Sequence, residues 1–251
     1  MSCVDFKRVN PATGPIYVED AEPGDTLNIE IENILLDAQG VTSVLPDFGV
    51  LGKSIKEFTP KMIRLEDGYA YFDNFKIPIK PMIGVIGVAP ENGEIFCGEP
   101  GAHGGNLDTL QITNGSVVKL PIFHPGALLS IGDVHASMGE GEVCGTGIET
   151  RASVSVRVEV EKRKINFPII ESRNDYFVLS SDTDIEQAVI DAVKNAVELI
   201  MEKKNLSFTD AYMLTSIACD LMVSQVVNPK KTAKVKIPKY LLNGNWLKGI
   251  K

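Results

Sequence analysis

The sequence predicts a mainly β protein: a β-sandwich body followed by a smaller C-terminal α/β extension that contains two helices. Three observations carry that expectation. Strict alternation of apolar and polar side chains recurs through the first two thirds of the chain. Between the alternating stretches, glycine, proline and aspartate are dense. Helical spacing of apolar residues emerges only after Ser180.

Residues 15–36 open with a strand pattern broken by the turn E-P-G-D-T at 22–26, where Pro sets φ and Gly permits positive φ. L-N-I-E-I-E-N-I (27–34) then alternates as a half-buried strand should. Similar units recur at Ile77–Val88, Ser116–Phe123 and Ala152–Val160. In the last of these, Val154, Val156, Val158 and Val160 share one face, while Ser153, Ser155, Arg157 and Glu159 share the other. The block from Ala89 to Gly147 holds too many glycines for any helix, because each costs about 1 kcal/mol relative to Ala. It reads as short strands joined by long, shaped loops, the segments that most often carry function.

Residues 184–204 place Ile185, Ala188, Val189, Ala192, Val193, Ala196, Val197 and Ile200 at helical spacing, with Ser181 or Asp182 available as cap. A second helix is expected after N-L-S-F-T-D, where Ser207 and Asp210 have capping-box-like spacing. It is expected to run to about Val227 and stop before Pro229, with a short strand at Lys234–Ile237 returning to a sheet. The expected division is therefore a β-rich domain over 1–180 carrying the site loops and an α/β extension over 181–251.

Composition narrows the function. The chain has 251 residues, 44% apolar and 23% charged, which is ordinary globular content. Its net charge of −8 disfavours phosphate backbones and anionic lipid, so neither nucleic acid nor membrane is an expected partner. Cys3, Cys97, Cys144 and Cys219 are scattered without a C-x-x-C pair, and the first residues have neither signal-peptide nor transit-peptide character. A cytoplasmic protein with free thiols is the expectation.

Two blocks carry chemistry: C-G-E-P-G-A-H-G-G-N-L-D (97–108) and P-G-A-L-L-S-I-G-D-V-H-A-S-M-G-E-G-E-V-C-G-T-G-I-E (125–149). Asp133 and His135 are two apart, so an extended segment projects both from one face. Glu142 lies past a glycine-rich turn that can fold it back toward them. His103 has only small neighbours, Ala102, Gly104 and Gly105, so nothing bulky obstructs a ligand or substrate there. A hydrolytic zinc site needs about three N/O ligands and an open position, and a spare carboxylate can move the proton. His103, Asp133, His135 and Glu142 supply those parts, although D-x-H between glycines also fits a plain hydrogen-bonded turn. Cys144 reads as a nucleophile or a buried thiol, and His124 as a surface or core-edge residue. Asn106 reads as an amide-orienting group or turn chemistry, Asp108 and Glu149 as ligands or hydrogen-bonding partners, and Met138 as packing beneath the loop.

D-F-K-R-V-N-P-A-T-G-P-I-Y-V-E-D-A-E-P-G-D-T-L (5–27), K-P-M-I-G-V-I-G-V-A-P (80–90), G-A-H-G-G-N-L-D (101–108) and P-G-A-L-L-S-I-G-D-V-H-A-S-M-G-E-G-E-V (125–143) resemble, in order, the signatures of the acetamidase/formamidase family. Ala102 stands where Pro is more usual in that family. The resemblance implies a β-sandwich with an α/β extension that hydrolyses short amides such as formamide or acetamide to a carboxylate and ammonia. It also implies zinc at the site, with calcium as a structural ion, and a homo-oligomer, dimer or higher. His103, Asn106, Asp133, His135 and Glu142 fall on the family's motif positions. By resemblance Asp133 and His135 are ligands, His103 is ligand or proton shuttle, and Glu142 is ligand or general base. Asn106, Gly104 and Gly105 are expected to contact substrate. Family members carry a further β-rich segment upstream of N-P-A-T-G-P, so the alternative expectation is a non-catalytic or incomplete subunit of an amidase-like assembly.

Overall fold

The computed structural model describes residues 10–242, so Cys3 and both ends of the expected domains lie outside the described residues. The body opens with β1 (Ala12–Ile16), β2 (Thr26–Leu36) and β3 (Gln39–Val44), then a short 3-10 turn at Gly52–Ser54. There follow β4 (Thr59–Glu66), β5 (Tyr69–Phe72), β6 (Phe75–Pro78) and β7 (Met82–Gly87). The glycine-rich block contributes β8 (Gly104–Asn106), β9 (Val117–Pro121) and β10 (Leu129–His135), and no helix, as its composition requires. Next come β11 (Ala152–Glu161), β12 (Ile169–Glu171) and β13 (Asp175–Asp182). The chain closes with α1 (Ile185–Lys204), α2 (Phe208–Ala218), β14 (Asp220–Gln225), β15 (Lys231–Pro238) and α3 (Lys239–Leu242).

The strands form three antiparallel sheets among the described residues, ordered β1-β10-β7-β8, β11-β2-β9-β12-β13-β15-β14 and β3-β4-β5-β6. The first two face each other as a sandwich. Leu27, Ile29 and Ile31 of β2 and Val118 and Leu120 of β9 share one buried cluster with Ile83 and Ile86 of β7 and Leu129 and Ile131 of β10. Each such side chain contributes about 2 kcal/mol by leaving water. Alternation holds in β11, where Val154, Val156, Val158 and Val160 pack against this core and Ser153, Ser155, Arg157 and Glu159 are exposed.

The third sheet, a meander that the alternation at 77–88 did not separate, packs Ile63, Leu65 and Ala70 against Ala136 and Ile148. Pro78 and Pro81 flank the break between β6 and β7, so what reads as one strand unit is two. On the far side of the large sheet, Ala188, Ala192 and Ala196 of α1 lie against Val178, Ala233, Val235 and Ile237. Small side chains at four-residue spacing let the helix sit close to the strands.

Three expectations are corrected. The second helix ends at Ala218, because Cys219 is extended (φ −117°, ψ 152°) and residues 220–225 pair with β15 as a strand. A short apolar run fits either element, and the open edge of β15 decides it. The cap of α1 is Asp184, whose carboxylate accepts from the Glu186 amide. Ser181 and Asp182 still belong to β13, where Ser181 bonds Thr232. The boundary expected at 180/181 falls inside β13, and β14 and β15 complete the same seven-stranded sheet.

Candidate metal and amide site

Beside the β7–β10 pairing, five ionisable side chains from separate stretches converge. Asp133 and His135 leave the end of β10 toward one pocket, as their spacing predicts, although Asp133 has φ +56° rather than a regular strand value. Asp133 Oδ1 lies 3.5 Å from His135 Nε2. Asn10 Nδ2 donates to the other Asp133 oxygen at 3.0 Å. Asp108, just past β8, places Oδ1 3.8 Å from the same imidazole nitrogen. Glu149 Oε2 approaches it to 3.1 Å, while Glu149 Oε1 accepts from the Gly147 amide at 2.8 Å. Backbone bridges from Glu149 to both Val41 and His135 hold this residue between β3 and β10. Glu142 completes the set from a tight turn at φ +47°. Candidate ligand atoms of Asp108, Asp133 and His135 lie within 4.8 Å of one another, as do those of His135, Glu142 and Glu149.

The space for this cluster depends on a glycine. A Cβ on Gly84 of β7 would stand 2.5 Å from Asp108 Oδ1 and 2.7 Å from Asp133 Oδ2, so any side chain there displaces both carboxylates. Asp108 is fixed from behind by Asn228, whose Nδ2 donates to Asp108 Oδ2 at 2.6 Å and to the Asn106 carbonyl at 3.1 Å.

Burial dominates the electrostatics. It pushes Glu142 up to about 10, with the Asp108 and Glu149 charges adding and His135 opposing. Glu149 rises to about 8 by burial, helped by Asp133 and Asp108 against the pull of His135. Asp108 rises to about 6, again by burial, with His135 opposing. Burial alone would lower His135, yet the surrounding carboxylates hold it well above the ordinary imidazole value. The charge of Asp108 is among the causes that raise Glu142, so the two carboxyl groups act on each other electrostatically. Buried Asp108 Oδ1, Glu142 Oε2, His135 Nδ1 and Asn106 Oδ1 have no hydrogen-bond partner among the described residues. A cluster of acids around one buried imidazole, with carboxylate oxygens left unpartnered, has the donor set of a divalent-cation site.

The cluster opens into a cavity of about 610 Å³, whose walls include Phe48, Phe58 and Phe96 beside Asn106 and Asn228. His103 is elsewhere. Among the described residues it is not in the group around His135, and it lines a second cavity of about 650 Å³ with Lys230 and Lys164. Burial, then the Lys230 charge, lowers its imidazole to about 4, against the pull of Glu99. Gly104 and Gly105, at φ +92° and +81°, turn the chain so that His103 and Asn106 line different cavities. The ligand role expected for His103 is thus not carried by this geometry. Gly104 and Gly105 are buried in β8 and line neither of these two cavities.

The remaining candidates have structural surroundings. The Cys144 thiol donates to the Thr146 carbonyl at 3.4 Å and does not line the cavity of the cluster. His124 is exposed and bonds the Pro90 carbonyl, and Met138 is buried. Asp108 and Glu149, which sequence alone left open between ligand and plain partner, belong to the cluster. Gly84 and Asn228 escaped notice, the latter because an Asn before Pro reads simply as a turn.

A β-sandwich with an acid–imidazole cluster gathered beside its first sheet and facing an aromatic-walled cavity defines the class of protein. The chain belongs to the acetamidase/formamidase family, whose profile matches residues 1–95 and 98–243. A Schizosaccharomyces pombe protein named as a candidate formamidase is 42% identical over 225 residues, 65% of this chain and 54% of its own length, so this chain spans about half of it. The formamidase of Methylophilus methylotrophus is 31% identical over 124 residues, covering 40% of this chain and 30% of its own. The crystal structure of an acetamidase from Bacillus halodurans superposes with a TM-score of 0.92 at 42% identity, over 94% of this chain and 81% of that one. A Thermoanaerobacter tengcongensis acetamidase/formamidase assigned from its sequence gives 0.93 at 41% identity, over 96% and 81%.

Proposed function

We propose that this protein is an amidase that hydrolyses small linear amides, formamide or acetamide in kind, to a carboxylate and ammonia with the help of a divalent cation. The observation that carries the reading is the convergence of Asp108, Asp133, Glu142 and Glu149 on His135, with all but Asp108 lining one cavity. Relatives named for acetamidase and formamidase activity point the same way.

Two sets that share His135 are placed to hold the cation, one with Asp108 and Asp133 and the other with Glu142 and Glu149. Zinc suits a mixed imidazole–carboxylate set, whereas calcium favours oxygen ligands alone and fits a site built around His135 less well. When bound, the cation polarises the amide carbonyl and acidifies water. The protein's own part is proton traffic. The Asp108–Glu142 pair takes up the proton that water loses and passes it to the departing nitrogen, and burial keeps Glu142 in the range where an acid form survives near neutrality. Asn106, whose Oδ1 faces no donor, is placed to orient an amide NH2 group. Phe48, Phe58 and Phe96 give the cavity an apolar wall beside the cluster.

A homo-oligomer and a cytoplasmic setting belong to the same reading, and among the described residues no helix is long and apolar enough to cross a membrane. The alternative of a subunit without turnover gains no support from a cavity that Asp133, His135, Glu142 and Glu149 all line, with Asp108 beside them. The test is elemental analysis for metal alongside ammonia release from formamide and acetamide. About one equivalent of zinc with ammonia release is the expected result; metal without ammonia removes the amidase reading, and neither, after zinc reconstitution, removes the site.

A further inference from the structure

Lys234 is fully buried, with no exposed surface, in a strand whose neighbours Ala233 and Val235 are also buried. Strand alternation explains which way it faces. Ala233, Val235 and Ile237 cover the helices, so Lys234 and Thr232 stand on the opposite face of β15. There the Lys234 ammonium donates to both oxygens of Glu140, at 2.8 and 2.7 Å, and to Gln111 Oε1 at 2.7 Å. Gln111 Nε2 closes the ring by donating to Glu140 Oε1 at 3.3 Å. All three donors of the ammonium are used, which is what a buried ammonium requires.

The position of its partners gives this clamp its meaning. Glu140 is two residues before Glu142, and Gln111 is three residues after Asp108. One ammonium therefore ties together the two loops that carry the Asp108–Glu142 carboxyl pair. The same loops are stitched to the end of β14 by the Gly141 amide to the Ser224 carbonyl, the Val226 amide to the Gly141 carbonyl, and the Thr109 hydroxyl to Ser224 Oγ. Glu142 and Asp108 both occupy left-handed backbone positions, which persist only where surrounding contacts hold them.

We propose that Lys234, through Glu140 and Gln111, is a positioning residue that sets the separation of the Asp108 and Glu142 carboxyl groups. Lys234 is buried while Glu140 is exposed, and the cost of desolvating the ammonium offsets much of what its partners contribute, so stability alone does not explain the clamp. The inference rests on the cation-assisted amidase reading for its consequence in catalysis, but the positioning itself does not.

The experiment uses the full chain and Lys234→Met, which keeps length and apolar bulk while removing the ammonium. Amide hydrogen exchange over 106–113 and 139–146 reads the positioning without any metal. Titration with Co2+, followed by its visible absorption, reads the ligand geometry. Expected are faster exchange confined to those two loops and Co2+ affinity lowered by about tenfold or more, with a changed spectrum and an unchanged near-ultraviolet dichroism signature of the folded core. The Lys234→Met/Glu140→Gln pair should match Lys234→Met alone, because both remove one interaction. Unchanged exchange in both loops overturns the clamp, whatever cobalt does. Wild-type protein that takes up no Co2+ overturns the cation site instead, while the exchange data still decide the clamp. Should Lys234→Met not fold, Gln111→Ala, which removes one leg of the same contact, is read by the same two measurements.

Discussion

At the scale of single residues, the site is a contest between burial and charge that His135 does not fully resolve. Its imidazole faces Asp133, Asp108 and Glu149 at once, too many acids for one partner. Asp133→Ala or His135→Ala is expected to abolish both metal content and ammonia release, measured together by elemental analysis and an ammonia assay. Retained activity in either would remove the cation mechanism. The pH dependence has a definite sign. Glu149 and Glu142 are held up at about 8 and 10, above their ordinary carboxylate value. The folded, chelator-treated protein therefore binds more protons than the unfolded chain. That stabilisation is complete below the ordinary value of about 4 and drains away as pH climbs through the raised ones. The Tm of chelated protein should thus fall between pH 7 and 9, and added zinc should remove most of that fall, because the cation takes the place of the protons. A Tm that rises over this interval contradicts the assignment. Asp133 and His135 were legible from their two-residue spacing, and Glu142 from the glycine turn behind it. Asn228 and Lys234 were not, because each acquires its role from a partner about 90 or more residues away in sequence.

At the scale of elements, β7 shows how a strand's own sequence can be dictated by a neighbour. It is buried throughout, and Gly84 faces the carboxylates of Asp108 and Asp133. Gly84→Ala is expected to lower metal affinity more than it lowers stability, the overpacking itself costing about 1–3 kcal/mol. Calorimetric titration with zinc beside thermal melts checks this, and a variant with wild-type affinity would show that the cradle yields. The caps follow local rules. Ser207 accepts from the Asp210 amide as the spacing predicts, and Ser207→Ala should cost about 1 kcal/mol in a denaturant melt. Strands with one face wet, such as β2 and β11, were legible because alternation survives in them. β14 was not: L-M-V at 221–223 suits a helix face as readily as a strand, and only the unpaired edge of β15 selects the strand.

At the scale of the whole molecule, the C-terminal residues are part of the body. β13 pairs with β15 over its full length, and that pairing extends the sheet that backs the sandwich. A fragment ending at residue 180 would strip Val178 of the helix that packs on it and β13 of its β15 partner. It is expected to lack near-ultraviolet dichroism and to expose apolar surface to a dye such as ANS, and a native-like spectrum would show two independent units instead. Pairing between strands distant in sequence, such as β1 with β10 and β2 with β11, also predicts slow folding for a chain of this size. The thread from Asn228 to Asp108 has a biosynthetic side. On the ribosome, every side chain of the acid cluster is translated well before the asparagine that steadies one of them. The nascent polypeptide therefore carries Asp108 without its Asn228 partner until the segment after β14 has been made.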